Sequence, residues 1–141
     1  MKIMTAAQAV QLIESGDSIY IQGSTSVPEV LSQALADRGN ELRNVTVYAA
    51  FAVGRCDAPY CRPEYKDAFN IKSLFVANNV RRWLAQGYGS TIPAFLGEIP
   101  GLFRDRAGIG IQGSFCFCTR TNRCFFRNIL RKFIKYFFFR K

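Results

Sequence analysis

Apolar positions along the first hundred residues switch between a period near 3.6 and a period near 2, and the switches lay out alternating helices and strands. Thr5 suits a helix cap, and residues 6–14 follow with Ala6, Ala9, Val10 and Ile13 on one face and Gly16 at the stop. Residues 18–21 read as a short strand, and 23–26 as a small-residue loop. Pro28 fits a first helical position and opens a helix through Ala36, stopped by Gly39. The β-branched run 45–50 predicts a second strand. Gly54, Pro59 and Pro63 make 51–66 irregular. Residues 71–76 predict a third strand, Asn78-Asn79 lead into a helix over 80–85, and Gly87 ends it. A fourth strand over 90–96 carries Pro93, which argues for an edge or a strand end. Residues 98–103 read as a short helical turn. This order predicts an α/β fold with an open, mostly parallel sheet, in which Val47, Leu74, Val76 and Leu96 form the sheet core.

The pattern stops near residue 106. Residues 1–106 carry 11 Lys and Arg against 10 Asp and Glu, a net charge of +1. Residues 107–141 carry 8 basic and no acidic residues, with 8 of the 13 Phe and 3 of the 5 Cys. The +9 total therefore describes a tail rather than a fold. We read 1–106 as one incomplete domain and 107–141 as a basic, Phe- and Cys-rich tail. The abrupt loss of acids resembles translation out of frame, so the sequence reads as a truncated product. No run approaches the ~18 apolar residues of a spanning helix. The N-terminus lacks a charged-then-apolar leader pattern, so the expected address is the cytoplasm, with the Cys as thiols. The chain has no His, which excludes imidazole bases, His metal sites and His-activated nucleophiles.

Ligands of open parallel sheets sit beyond the carboxyl ends of the strands, and two loops qualify. Gly23-Ser24-Thr25-Ser26 precedes a helix, where backbone N–H groups suit a carboxylate or phosphate; a tight turn needing small residues is the simpler use. No P-loop pattern is present. In the second loop, 75–81, an Asn can cap the helix and Arg81 can pair with an anion; a capped helix with a solvated Arg is the simpler use. Glu98 reads more readily as a first-turn charge than as a catalytic carboxylate.

Taken together these segments resemble the N-terminal domain of the acetyl-CoA hydrolase/transferase family, which includes 4-hydroxybutyrate and acetate CoA-transferases. The resemblance rests on residues 4–10, Ser15-Gly16-Asp17, Gly23-Ser24 with Pro28-Glu29-Val30-Leu31, and residues 34–38. It continues through Pro63-Glu64-Tyr65-Lys66, residues 73–76, Asn79-Val80-Arg81, residues 92–96 and Glu98-Ile99-Pro100 with Leu102-Phe103. It implies a CoA-transferase-type sheet and ping-pong acyl transfer between an acyl-CoA and a short carboxylate, through an enzyme glutamate and an oxyanion site. Coenzyme A enters as substrate, with no bound cofactor. In the family that glutamate lies in a C-terminal half, and no position here matches it, so the chain is expected to have no catalytic residue of its own and to be inactive alone. The resemblance places Gly23, Ser24, Ser26, Asn79 and Arg81 on one wall of the acyl pocket.

In the tail, Phe126, Ile129, Leu130, Phe133, Ile134 and Phe137 fall at helical spacing with Arg127, Arg131, Lys132 and Lys135 between them. This suits a basic amphipathic helix on an anionic membrane surface, or sequence-independent nucleic-acid binding. The rival function is thus a small basic membrane- or nucleic-acid-binding protein acting through 107–141. Chance codons are the blander account, and self-association through exposed Phe is a further expectation. Cys116, Cys118 and Cys124 give C-x-C-x5-C with no fourth ligand nearby, which argues against a structural zinc site.

Overall fold

The structure, a computed structural model, describes residues 3–23, 27–49, 58–99, 102–103, 114–118 and 124–128. Its first elements are strand β1 (Ile3–Met4), helix α1 (Ala6–Val10), strand β2 (Ser18–Ile21), helix α2 (Glu29–Asp37) and strand β3 (Val45–Ala49). Two 3-10 turns, Pro59–Cys61 and Pro63–Tyr65, lead to strand β4 (Phe69–Ser73), helix α3 (Asn78–Ala85) and strand β5 (Ser90–Thr91). A 3-10 turn at Leu96–Glu98 follows, and strands β6 (Ser114–Cys118) and β7 (Cys124–Asn128) close the described chain.

Strands β2, β3, β4 and β5 form one parallel sheet in that order. Sequential parallel strands need crossovers, and crossovers of one hand put the connecting helices on one face. The burial follows that rule. Ile19, Val47 and Ile71 stand in one cross-strand row and pack with Val10, Leu31, Leu35 and Val80 from the helices. The opposite face pairs Tyr20 with Tyr48 in the next row. There Tyr20, Tyr48, Leu74 and Ile99 form a second cluster, covered by Ile92, Ala94, Leu102 and Phe103. Phe103 stands edge-on to both tyrosines, with centroids 5.5 Å from Tyr20 and 5.4 Å from Tyr48, the arrangement that ring quadrupoles favour.

Local chemistry explains the helix ends. Thr5 caps α1 as the sequence predicts: its Oγ1 accepts from the Gln8 N–H at 3.2 Å, and Gln8 Oε1 accepts from the Thr5 N–H at 3.0 Å. The helix is shorter than predicted, ending at Val10, because Arg38 draws the carbonyls of Val10 and Ile13 to its guanidinium. Pro28 is the residue before α2 rather than its first member, a one-position difference at a helix end. Gly16 and Gly87 take φ of +88° and +83°, which serves the stops assigned to them.

Three predicted elements move. The third strand is β4 at Phe69–Ser73 rather than 71–76, since Ser73 turns the chain by donating from Oγ to the Phe75 carbonyl at 2.8 Å. Val76 is consequently half-buried beyond the strand. The fourth strand keeps only Ser90 and Thr91, and Leu96 is 72% exposed rather than in the core. Val47 and Leu74 are buried as predicted.

The third change lies in the tail. Phe126 falls on strand β7, not on a helix; residues 129–137 of the predicted amphipathic segment lie outside the described residues. Strands β1, β7 and β6 form an antiparallel sheet in that order. Phe is a strong strand former, and the alternation Ser-Phe-Cys-Phe-Cys in β6 has the period of a strand, so pairing prevails over the 3.6 spacing. Strand β6 runs beside β2 and α2, and β7 beside α1.

Candidate functional site

Parallel strands collect their carboxyl ends on one edge, and the connections leaving that edge make the site. After β2 come Gln22 and Gly23; after β4 come Leu74 to Ala77 and the start of α3; after β5 comes Ile92 onward. The edge is tied together by backbone bonds. The Leu74 N–H donates to the Ala49 carbonyl at 2.8 Å, and the Ile92 N–H donates to the Ser73 carbonyl at 2.9 Å. Below it, Lys72 Nζ donates to Ser90 Oγ at 2.9 Å and holds β5 against β4.

Of the predicted residues, Gly23 is buried at the end of β2. Asn79 is half-buried in the first turn of α3, with its Oδ1 shut off from solvent. Arg81 is exposed further along α3. Strands β2 and β4 flank β3, so Gly23 and the connection that leads to Asn79 leave the same edge of the sheet. Ser24 and Ser26 lie outside the described residues. Neither Asn caps α3. The residue before that helix is Ala77, no side chain caps it, and Asn78 and Asn79 are already helical. Helix α2 likewise begins without a side-chain cap, after Pro28. Among the described residues no side chain caps the start of α2 or of α3, and helix dipoles favour a carboxylate or phosphate at such starts. Glu98 is exposed and accepts from the Phe95 N–H at 3.1 Å, in keeping with its first-turn reading.

The sequence reading missed Gln22. It directly follows the last residue of β2, and its Oε1 is enclosed with no hydrogen-bond partner among the described residues. A buried amide oxygen left unpaired costs on the order of 1–3 kcal/mol, a cost a bound donor would relieve. The only signal in the sequence is a polar residue between an apolar strand and Gly23. The reading also missed the pair behind the edge, Tyr20 and Tyr48. Burial pushes the Tyr20 phenol up to about 12 and raises that of Tyr48, so both hydroxyls stay protonated at neutral pH. Among the residues whose side chains are described, no group of His, Cys, Asp or Glu is placed to hold a metal ion.

An open parallel sheet of four strands with helices packed against it defines a domain of the α/β class. Residues 1–111 match the acetyl-CoA hydrolase/transferase N-terminal domain, and the chain belongs to that family. It is 28% identical over 109 residues to the butyryl-CoA:acetate CoA-transferase of Anaerostipes caccae, covering 74% of this chain and 23% of that protein. It is 28% identical over 94 residues to a succinyl-CoA:acetate/propanoyl-CoA:succinate CoA transferase of Fasciola hepatica, covering 65% of this chain and 19% of the relative. The chain thus spans about a quarter or less of these relatives. RipA from Yersinia pestis shares the fold, with a TM-score of 0.59 and 24% identity over 70% of this chain and 25% of RipA. A mutant RipA structure gives a TM-score of 0.63 at 23% identity, over 70% of this chain and 24% of that one.

Proposed function

We propose that the chain supplies the N-terminal wall of a CoA-transferase site, where an acyl-CoA and a short carboxylate are held while the acyl group changes partner. The family match over residues 1–111 carries this reading. In it, Gly23 with Ser24 and Ser26 lets the substrate approach the start of α2. Asn79 and Arg81 on α3 meet its anionic or carbonyl oxygens, and coenzyme A is a substrate rather than a resident cofactor. The nucleophilic glutamate that the family's chemistry requires has no counterpart among the described residues of this edge; Glu98 accepts from the Phe95 N–H in an exposed turn. The chain by itself is therefore inactive, and its place of work is the cytoplasm.

The test has two readouts. Purified protein, free of host enzyme, is assayed for CoA transfer and acetyl-CoA hydrolysis, and no turnover is expected; turnover above background overturns the inactivity. The single tryptophan, Trp83, stands on α3, the helix that carries Asn79 and Arg81, and serves as the optical probe. Butyryl-CoA should change its fluorescence saturably in the parent and not in Asn79→Ala. A parent that does not respond sinks the proposed pocket wall.

A further inference from the structure

A second polar atom without a partner lies away from the carboxyl edge, among the helices. Ser32 stands on α2 and is only 1% exposed, and its Oγ has no hydrogen-bond partner among the described residues. A buried helical serine can satisfy itself by donating to a carbonyl of the preceding turn. The Pro28 carbonyl accepts from the Ser32 backbone N–H at 2.9 Å, and the hydroxyl adds no bond to it. Ser32 also forms part of the wall of the small cavity between α1, β2 and α2, about 30 Å³ in volume. Most of that wall is aliphatic, with Val10, Ile19, Ile21, Leu31 and Leu35 among its members. Tyr20, the other hydroxyl-bearing residue on it, is buried with Tyr48 in the cluster of the opposite sheet face. No charged side chain is among the described residues of the wall.

We propose that this cavity is a binding site for a neutral one- or two-carbon alcohol, whose hydroxyl bonds Ser32 Oγ while its carbon end meets the aliphatic wall. Volume sets the size. A water needs roughly 10–15 Å³ and a void of about 150 Å³ takes benzene, so the space here suits about two or three heavy atoms. The wall sets the charge. An ion moved into an apolar enclosure loses far more than one hydroxyl returns, so neither a carboxylate nor an ammonium is the occupant. Ser32 sets the polar group. Its unpaired hydroxyl is costly, and a ligand hydroxyl, donor and acceptor at once, meets it whichever way its O–H points. Water supplies the same group, but a buried water draws on about three polar partners, and Ser32 is a single one. An alcohol needs fewer, since its carbon end gains by leaving water for Leu and Ile side chains. The site is separate from the carboxyl edge and does not depend on acyl transfer there.

The experiment is a titration of the full chain, carrying isotope-labelled Ile and Leu methyl groups, with methanol, ethanol and tert-butanol, followed by NMR. Methanol and ethanol should shift the Ile21, Leu31 and Leu35 methyl signals saturably, with affinity of about millimolar, the ceiling for so few atoms. The bulkier tert-butanol should not. Ser32→Ala should weaken methanol binding about 3- to 10-fold, the worth of one hydrogen bond. Ala9→Val adds two methyl groups to the wall and should abolish the saturable shifts. Without ligand, Ser32→Ala should melt no lower than the parent, because it removes a buried hydroxyl that has no partner. Should Ala9→Val fail to fold, the two Ser32→Ala readouts decide alone. Methanol binding unchanged by Ser32→Ala, equal shifts from tert-butanol, a Ser32→Ala protein that melts below the parent, or no saturable shift in the parent overturns the proposal.

Discussion

Arg38 at the end of α2 donates from Nη1 to the Ile13 carbonyl at 2.9 Å, and the same nitrogen reaches the Val10 carbonyl. Its Nε meanwhile meets Glu41 Oε2 at 3.0 Å. One planar, mostly buried cation thus closes the carbonyl end of α1, where the helix dipole is negative; the Val10 carbonyl also accepts from the Ile13 N–H at 3.1 Å. Arg38→Ala should cost about 1–2 kcal/mol, since it takes the donor from the Ile13 carbonyl. Arg38→Lys should recover only part of this, because an ammonium keeps the charge without the fork. Urea unfolding of both variants measures it, and an Ala variant as stable as the parent would show that water replaces the guanidinium.

Gly39 stands under the Tyr65 ring. A Cβ built there would lie 2.2 Å from the ring, too close for any packed pair. Gly39→Ala should therefore destabilise by roughly 1–3 kcal/mol through overpacking. Tyr65 also packs edge-on against Phe69 at 6.1 Å, so removing the ring has its own cost. The double variant Gly39→Ala, Tyr65→Ala should lose less than the sum of the single variants, and strict additivity in thermal melts would mean that the ring does not create the constraint.

How far these features were legible follows from what each depends on. The capping box at Thr5 and the helix stop at Gly16 depend on residues within a few positions, and the sequence displays them. The start of β4 at Phe69 depends on pairing with Val45, a partner 24 residues away, and the apolar run 71–76 drew the strand two residues too late. Leu96 shows the converse: an apolar residue next to Pro93 looks like core, yet it sits in an exposed 3-10 turn. The family resemblance is what nominates Gly23 and Asn79 as candidates, and no local pattern in the sequence does so. Gln22 is not nominated, because its only distinction is an unmet oxygen, visible once burial is known. In the tail the change of composition was plain, while the pairing that sets Met4 opposite Cys124 exists only in the register of the strands.

Alkaline pH should unfold the protein through Tyr20. The folded phenol is raised from 10.0 to about 12 by burial, so folding favours its protonated form. That contribution is complete below pH 10 and is lost as pH climbs through the folded value. From the linkage relation it amounts to roughly 2 kcal/mol between pH 10 and 12. Tyr48, raised in the same direction, should add to the fall. Tyr20→Phe removes the ionising group while keeping the ring against Phe103, so its melting temperature should decline less steeply over that window. Equal slopes for parent and variant would place the titration elsewhere.

Removing residues 107–141 sets two accounts of the tail against each other. If the segment is appended to a finished domain, its loss frees the protein of exposed Phe and improves its behaviour. The structure instead runs β6 beside β2 and α2, and β7 beside α1. Strand β2 is an outer strand of the parallel sheet, and an uncovered outer strand offers unpaired backbone groups to other chains. Its face with α1 and α2 already holds a small cavity of about 30 Å³, lined by Val10, Ile13, Ile21, Leu31 and Leu35 among others. Removing β6 and β7 would open to water the apolar surface of the elements they run beside, at about 25 cal/mol for each Å². Margins of stability are only ~5–15 kcal/mol, so a few hundred Å² is a large share. Residues 1–106 alone should therefore melt several degrees below the full chain and scatter more light at the same concentration. A truncated form that melts as high and stays monomeric would show that the hairpin contributes nothing to the domain.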